Sequence, residues 1–387
     1  MRAPAGLKTM RRLGCAAAVC MLLAAELRPQ GAPAVDPQQI RTQIKHLGQW
    51  YSEEFQKEAS LFLTRSGKGS VPYLMEALND DDLSRQARVV EILGNLRDAN
   101  ARLPLILLYQ REKSVLIRCK VLEALGKSRD EAVFDFVAAR VKDANLRIRA
   151  FAVWAMGELR TPKAVPLLME VIKSDAGPPV IAAIDALGKC GGARQVPLLM
   201  EYLRHWDVQT RYVAALSLGE LANRATVPAL FEALEWETHI DVQEALAKSL
   251  GKIGGKEAIS RFLEILKKGP YPFDQRVAAV GLRAAGTQAV FPLLELLERG
   301  SVEDKLQAAK ILVSLKSAGA VPYFLKMLDS ENTTERLMAV VSLGDLGDAA
   351  IDKRLEPLSA SGELIIRQAA WEARRKIHAQ DLRRDSE

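Results

Sequence analysis

A Leu-Gly or Met-Gly pair returns about every 31 residues along this chain, and about nine residues later comes a Val-Pro-type step. The Gly stands at Gly94, Gly126, Gly157, Gly188, Gly219, Gly251 and Gly344, and the Pro at Pro72, Pro104, Pro166, Pro197, Pro228, Pro292 and Pro322. Repetition at a fixed period of roughly 20–50 residues marks stacked supersecondary units, none of which can bury its apolar face alone. Two further units keep the phase without the Gly, with Arg283 and Val313 at its register.

The residues around the Gly define two helices per unit. Leu93, Leu125, Met156, Leu187, Leu218, Leu250, Leu282, Leu312 and Leu343 precede the register, and Ala152, Ala183, Ala214, Ala278, Ala308, Ala339 and Ala370 stand five before it. Leu and Ala four apart share one helix face. Gly inside a helix costs about 1 kcal/mol relative to Ala, so its return at one register predicts a neighbouring helix too close for a methyl group. The Val-Pro step opens the other helix, because the N–H that Pro lacks has no intrahelical partner in the first turn. C-terminal caps are expected at Gly191, Gly254, Gly286 and Gly347. N-terminal caps are expected at Asp143, Asp207, Asp241 and Asn332, with Arg147, Arg211 and Arg336 four residues beyond three of them.

Ten such units fit between residue 67 and about 378. Residues 35–66 read as a helical cap or divergent repeat, and 379–387 as a polar tail. The expected architecture is all-α, a right-handed α-solenoid of about ten two-helix repeats. The pattern resembles the HEAT-like repeats of bacterial solenoid proteins, in particular the phycobilisome-lyase type, over about 310 of the 387 residues. That resemblance is specific for fold and unspecific for activity, since the family holds lyases, a metal hydroxylase and many binding scaffolds. It implies that a hydroxylase would carry repeated His-Glu pairs holding two irons. Here the pairs are His46-Leu47, His205-Trp206, His239-Ile240 and His378-Ala379, and none supplies the Glu. A lyase would need a pocket orienting a linear tetrapyrrole, and no motif requires one. Phosphate loops, nucleophile elbows and Cys-x-x-Cys spacings are also missing from the sequence. No catalytic residue, metal or cofactor is therefore expected.

The N-terminus has the pattern of a secretory signal. Arg2, Lys8, Arg11 and Arg12 precede a 13-residue apolar run from Leu13 to Ala25, and Ala32-Pro33-Ala34 offers a small-x-small cleavage site. The run is short of the roughly 20 residues that span a bilayer. The expectation is a signal at 1–34, export to the periplasm or beyond, and no stable membrane insertion after cleavage. Five basic and one acidic residue lie in that segment, so the whole-chain charge of +6 falls to +2 without it. Near neutrality argues against a nucleic-acid partner, which needs clustered positive charge. Cys119 and Cys190 lie two units apart, and both are expected to be free and buried.

One stretch departs from the repeat. The loop between the helices of a unit is acidic or small in most units, as in Asp80-Asp81-Asp82. In three consecutive units it turns aromatic, with Tyr202, His205, Trp206 and Tyr212, then Trp236 and His239, then Tyr271 and Phe273. Trp206 and Trp236 are 30 residues apart, so stacking should set them side by side on one ridge. Exposed aromatics among polar residues mark interaction sites. The competing expectation is that these rings fold back to fill widened loops. Trp154 and Trp371, in core phase, are expected to pack inside. The reading is a non-catalytic scaffold that binds a protein or peptide along its curved surface. The alternative is a lyase- or hydroxylase-like repeat enzyme acting on a protein.

Overall fold

The computed structural model describes residues 36–48, 50–268, 272–347 and 349–384. The expected signal segment, with Cys15 and Cys20, lies outside the described residues, as do Tyr271 and the last three residues of the tail. The chain divides into two compact units, one ending at Gln195 and the other beginning at Val196. Among the described residues every regular element is helical.

In the first unit, α1 (Pro37–His46) and α2 (Glu53–Arg65) form an opening pair. They are followed by α3 (Val71–Ala77) with α4 (Leu83–Leu96), α5 (Arg102–Arg111) with α6 (Val115–Ser128), α7 (Phe134–Ala138) with α8 (Leu146–Glu158), and α9 (Val165–Ser174) with α10 (Pro178–Cys190). The second unit pairs α11 (Val196–Tyr202) with α12 (Val208–Leu221), α13 (Val227–Trp236) with α14 (Ile240–Ile253), and α15 (Lys256–Lys268) with α16 (Pro272–Ala285). It continues with α17 (Thr287–Arg299) and α18 (Val302–Ser314), α19 (Val321–Met327) and α20 (Thr333–Leu346), and α21 (Ala349–Leu355) and α22 (Leu364–Arg384). The ten pairs from α3 onward are the ten expected repeats of an all-α solenoid. Residues 379–384, set aside as tail by their polarity, continue the last helix.

The recurrent Gly does what its helix cost predicts. A Cβ at Gly94 would lie 2.6 Å from the Ala124 Cα, one at Gly157 2.7 Å from the Ala186 Cβ, and one at Gly344 2.5 Å from the Ala373 Cβ. Each contact joins a second helix to the second helix of the next repeat. Where Arg283 and Val313 replace the Gly, α16–α18 and α18–α20 pack much more sparsely than the Gly-bearing neighbours α14–α16 and α20–α22.

Helix ends depart from the expected caps at several repeats. Asp207 and Asn332 cap α12 and α20 as expected. The cap of α8 is Asn145, and Asp143 instead accepts the Asn145 N–H at 2.8 Å. Asp241 lies inside the first turn of α14, whose cap position is His239. At the other end, left-handed backbone three residues past the register does not depend on Gly. Gly254, Gly286 and Gly347 have positive φ there, but so do Arg97, Arg129, Arg160, Ala222 and Lys316. Gly191 stays extended, with φ −79°. Pro292 is not a helix opener either, because α17 starts five residues earlier and carries it inside.

At eight of the second helices the fourth position after the cap, where the sequence places Arg211 and Arg336, ties back the preceding loop. Gln56, Gln86 and Gln243 reach back to carbonyls of their own loops (Gly48, Leu78 and Glu237), and Arg118, Arg149, Arg211, Arg336 and Arg367 do the same (Glu112, Asp143, His205, Ser330 and Ser361). The relevant residue in the α8 repeat is Arg149, not Arg147. Burial makes these bonds matter, since an unpaired loop carbonyl would otherwise carry its full desolvation cost.

Cys119 and Cys190 are free and buried as expected. Trp154 is half-buried, with the Lys189 ammonium 5.8 Å from its ring. Trp371 is 63 % exposed, contrary to the packing expected of it. Its counterparts four residues before the register, Val90, Leu122, Val153, Ile184 and Val340, are all buried. In the repeats of Val90, Leu122, Val153 and Val340 the second helix packs against that of the following repeat, and no described repeat follows α22.

Candidate partner-docking site

The aromatic stretch lies in the second unit, on the loops that close the α11–α12 and α13–α14 repeats. Helix α11 ends at Tyr202 and a tight turn delivers His205 and Trp206 just ahead of the Asp207 cap. The Asp207 carboxylate accepts the Thr210 N–H at 2.8 Å and its hydroxyl at 2.6 Å, and this bonding lowers its pKa below the ordinary value. His205 Nδ1 accepts the Asp207 N–H at 3.1 Å. Three tilted rings form a chain here, with centroids 5.9 Å apart for Tyr202–His205 and 5.4 Å for His205–Trp206. Trp206 ends the chain 86 % exposed, while Tyr202 and His205 are half-buried.

Arg211 holds this turn to the next repeat. Its Nη1 donates to the carbonyls of His205 and Trp206 at 2.9 and 3.1 Å. Its Nε and Nη2 form a fork on Glu237 at 2.7 and 3.0 Å. Glu237 also accepts the N–H groups of Thr238 and His239, at 3.0 and 2.8 Å. Its side chain is 2 % exposed. Burial alone would raise its pKa, but the Arg211 guanidinium and the two N–H donors outweigh that and hold the carboxyl below its usual range. The loop displaying Trp206 and the loop following Trp236 are thus fixed through one buried ion pair.

Trp206 and Trp236 do not occupy equivalent places. The caps Asp207 and His239 are 32 residues apart, whereas the two Trp are 30 apart. Trp206 lies one residue before its cap, on the loop. Trp236 is the last residue of α13 and is 41 % exposed. It walls a groove of about 480 Å3 between α11 and α13, with Pro197, Met200, Leu203, Ala229 and Ala233. Glu201 and an Arg204–Glu232 ion pair of 2.6 Å form its rim. Tyr212 and His239 open instead on a second cavity of about 630 Å3 between α12 and α14, with Asp207, Asp241, Glu244 and Lys248. The single expected ridge is therefore an exposed tip flanked by two grooves. Tyr271 and the side chain of Phe273 lie outside the described residues.

Met200, Arg204 and Glu232 belong to this arrangement and were not singled out in the sequence. Met200 and Arg204 line the groove with Trp236, and no pattern in the sequence marks them. Among the described residues, no three His, Cys, Asp or Glu side chains converge as metal ligands would, and no helix is long and apolar enough to cross a membrane.

A family model described as HEAT repeats matches residues 71–150, 103–188, 135–208 and 196–283. No curated protein sequence matches the chain. Among solved structures, the complex of CpcE and CpcF of phycocyanin lyase from Nostoc sp. PCC7120 is similar at 23 % identity, covering 63 % of this chain and 94 % of that one, with a TM-score of 0.35. Human deoxyhypusine hydroxylase is similar at 17 % identity over 83 % of this chain and 98 % of its own, with a TM-score of 0.28. An engineered protein matches at 19 % identity over 88 % and 98 %, with a TM-score of 0.31.

Proposed function

Because this chain belongs to the HEAT-repeat family, we propose that its helical repeats serve as a non-catalytic scaffold, exported from the cytoplasm, that docks a protein partner at the Trp206–Trp236 loops. The observation carrying this reading is the exposure of Trp206 on a turn that Arg211 and Glu237 hold in place. A large apolar ring kept in water by a rigid mount loses little conformational entropy on binding, which is the property of interface hot spots. The charged groups beside the rings are engaged in holding the loops, with Asp207 capping α12 and Glu237 gripping Arg211. Export rests on the basic, apolar and small-residue pattern of residues 1–34.

Paired alanine changes at Trp206 and Trp236 test the docking site. They should weaken capture of the native partner from the cell envelope by tenfold or more and leave Tm unchanged. A fall in Tm with no selective loss of capture would overturn the reading. Sequencing the N-terminus of the chain recovered outside the cytoplasm tests export, with cleavage after Ala34 as the expected result.

A further inference from the structure

We propose that the groove between α11 and α13 takes an apolar side chain from a cationic segment of the partner. The inference rests on the scaffold reading and adds the chemistry of what docks. The floor is apolar, made by Pro197, Met200, Ala229 and Ala233, with the Trp236 ring as wall. At about 480 Å3 it is within the size range of pockets that bury an inserted group.

Charge selects the occupant. Glu201 is exposed at the rim, and Glu232 shares the rim with Arg204. Across the loops, the second cavity presents Asp241 beside Glu244, with Lys248 and Arg276 the cations facing Glu244. Residues 196–253 hold eight acidic and five basic side chains, a net −3, against +2 for the chain without its expected signal segment. An acidic segment brought to this surface meets like charge on both sides of Trp206, whereas a Lys- or Arg-flanked apolar residue meets a complementary rim. The groove and the ring give the anchor, and the surrounding carboxylates give the sign.

Two fluorescent peptides with the same anchors, Lys-Lys-Leu-Phe-Lys-Lys and Glu-Glu-Leu-Phe-Glu-Glu, test this by polarisation against the full chain. The cationic peptide should bind at least tenfold more tightly at about 50 mM salt, and the gap should shrink several-fold at about 300 mM as screening sets in. The double variant Glu201→Lys, Glu232→Lys should abolish the preference, and Trp236→Ala should weaken both peptides. Both glutamates are on the surface, and an unchanged Tm checks that the variant folds. Equal binding, a preference for the acidic peptide, no binding of either, or a preference that survives the double variant would each overturn the proposal. So would concentration-dependent self-association lost in the double variant, which would make a second copy the occupant. If native-partner capture depends on Trp206 and Trp236 while the peptides show no charge preference, the cationic inference fails and the scaffold reading stands. The reverse result would retain the groove's chemistry and remove the docking site from the proposed function.

Discussion

The Arg211 guanidinium and the Glu237 carboxylate, 26 residues apart, meet through two bonds of 2.7 and 3.0 Å. The same guanidinium grips the carbonyls of His205 and Trp206. One ion pair therefore sets both the loop that presents the exposed tryptophan and the loop after the groove wall. Arg149 and Asp175 repeat the fork in the first unit, at 2.8 and 3.2 Å.

Removing one partner should be costly. Glu237→Ala leaves Arg211 without its carboxylate in a nearly closed site, and breaking a buried pair in this way costs about 3 kcal/mol or more. The Glu237 carboxyl has a lowered pKa in the folded chain, so its contribution is complete above the unfolded value of about 4.3 and is lost as pH falls through the folded value. Denaturation midpoints of wild type and Glu237→Gln, measured from pH 7 down to pH 3, should converge at the acid end. A constant gap across that range would show that Glu237 does not titrate as its bonding requires.

The Gly register gives a second expectation. At Gly157 a methyl group would meet the Ala186 Cβ at 2.7 Å and its Cα at 2.8 Å, so the neighbouring backbone must move. Gly157→Ala gains about 1 kcal/mol of helix propensity, yet overpacking typically costs about 1–3 kcal/mol. The net should be destabilising, and Gly157→Val should be worse by at least another 1 kcal/mol. Arg283→Ala, at the same register where the second helices already stand apart, should change stability by less than about 0.5 kcal/mol. Urea denaturation of the three variants makes the comparison.

Those two cases show why parts of the molecule were legible and others were not. Period, helix count and Gly contacts could be read directly, because a Gly inside an apolar helix stripe has few physical reasons to recur. Loop geometry could not. The cap of α8 fell on Asn145 because two Asx residues stand two apart in Asp143-Ala144-Asn145, and either could start the helix. Trp206 and Trp236 looked equivalent at 30 residues, but α13 runs ten residues where α11 runs seven, so the helix takes in Trp236 and stops short of Trp206. Trp371 has the phase of a core residue, and phase does not say whether a further repeat covers it.

Left-handed backbone at Ala222 gives a stabilising prediction. Ala222 has φ 50° and ψ 35° and follows α12. A non-Gly residue there costs about 1–2 kcal/mol, partly offset because Gly loses more entropy on folding. The side chain is exposed, so nothing packed is removed. Ala222→Gly should raise stability by about 0.5–1 kcal/mol, seen as a higher urea midpoint with unchanged slope. A lower midpoint would mean that the turn is not left-handed in solution.

Cys119 and Cys190 report on unfolding in the first unit. Burial pushes the Cys190 thiol up to about 11, with backbone bonding and Lys189 pulling the other way. Its Sγ donates to the Ala186 carbonyl at 2.9 Å, one turn earlier in α10. Burial also raises the pKa of Cys119, with the Arg147 charge opposing. The thiolate is the reactive species, so at pH 8 neither residue should react with a disulfide reagent at the rate of a free thiol. Labelling should instead follow opening of α6 and α10, slowing in proportion to the local stability and accelerating steeply through the urea transition. Gly157 packs α8 against α10, so Gly157→Val should speed labelling of Cys190 more than that of Cys119. Equal acceleration at both would show that the first unit opens as one cooperative block rather than repeat by repeat.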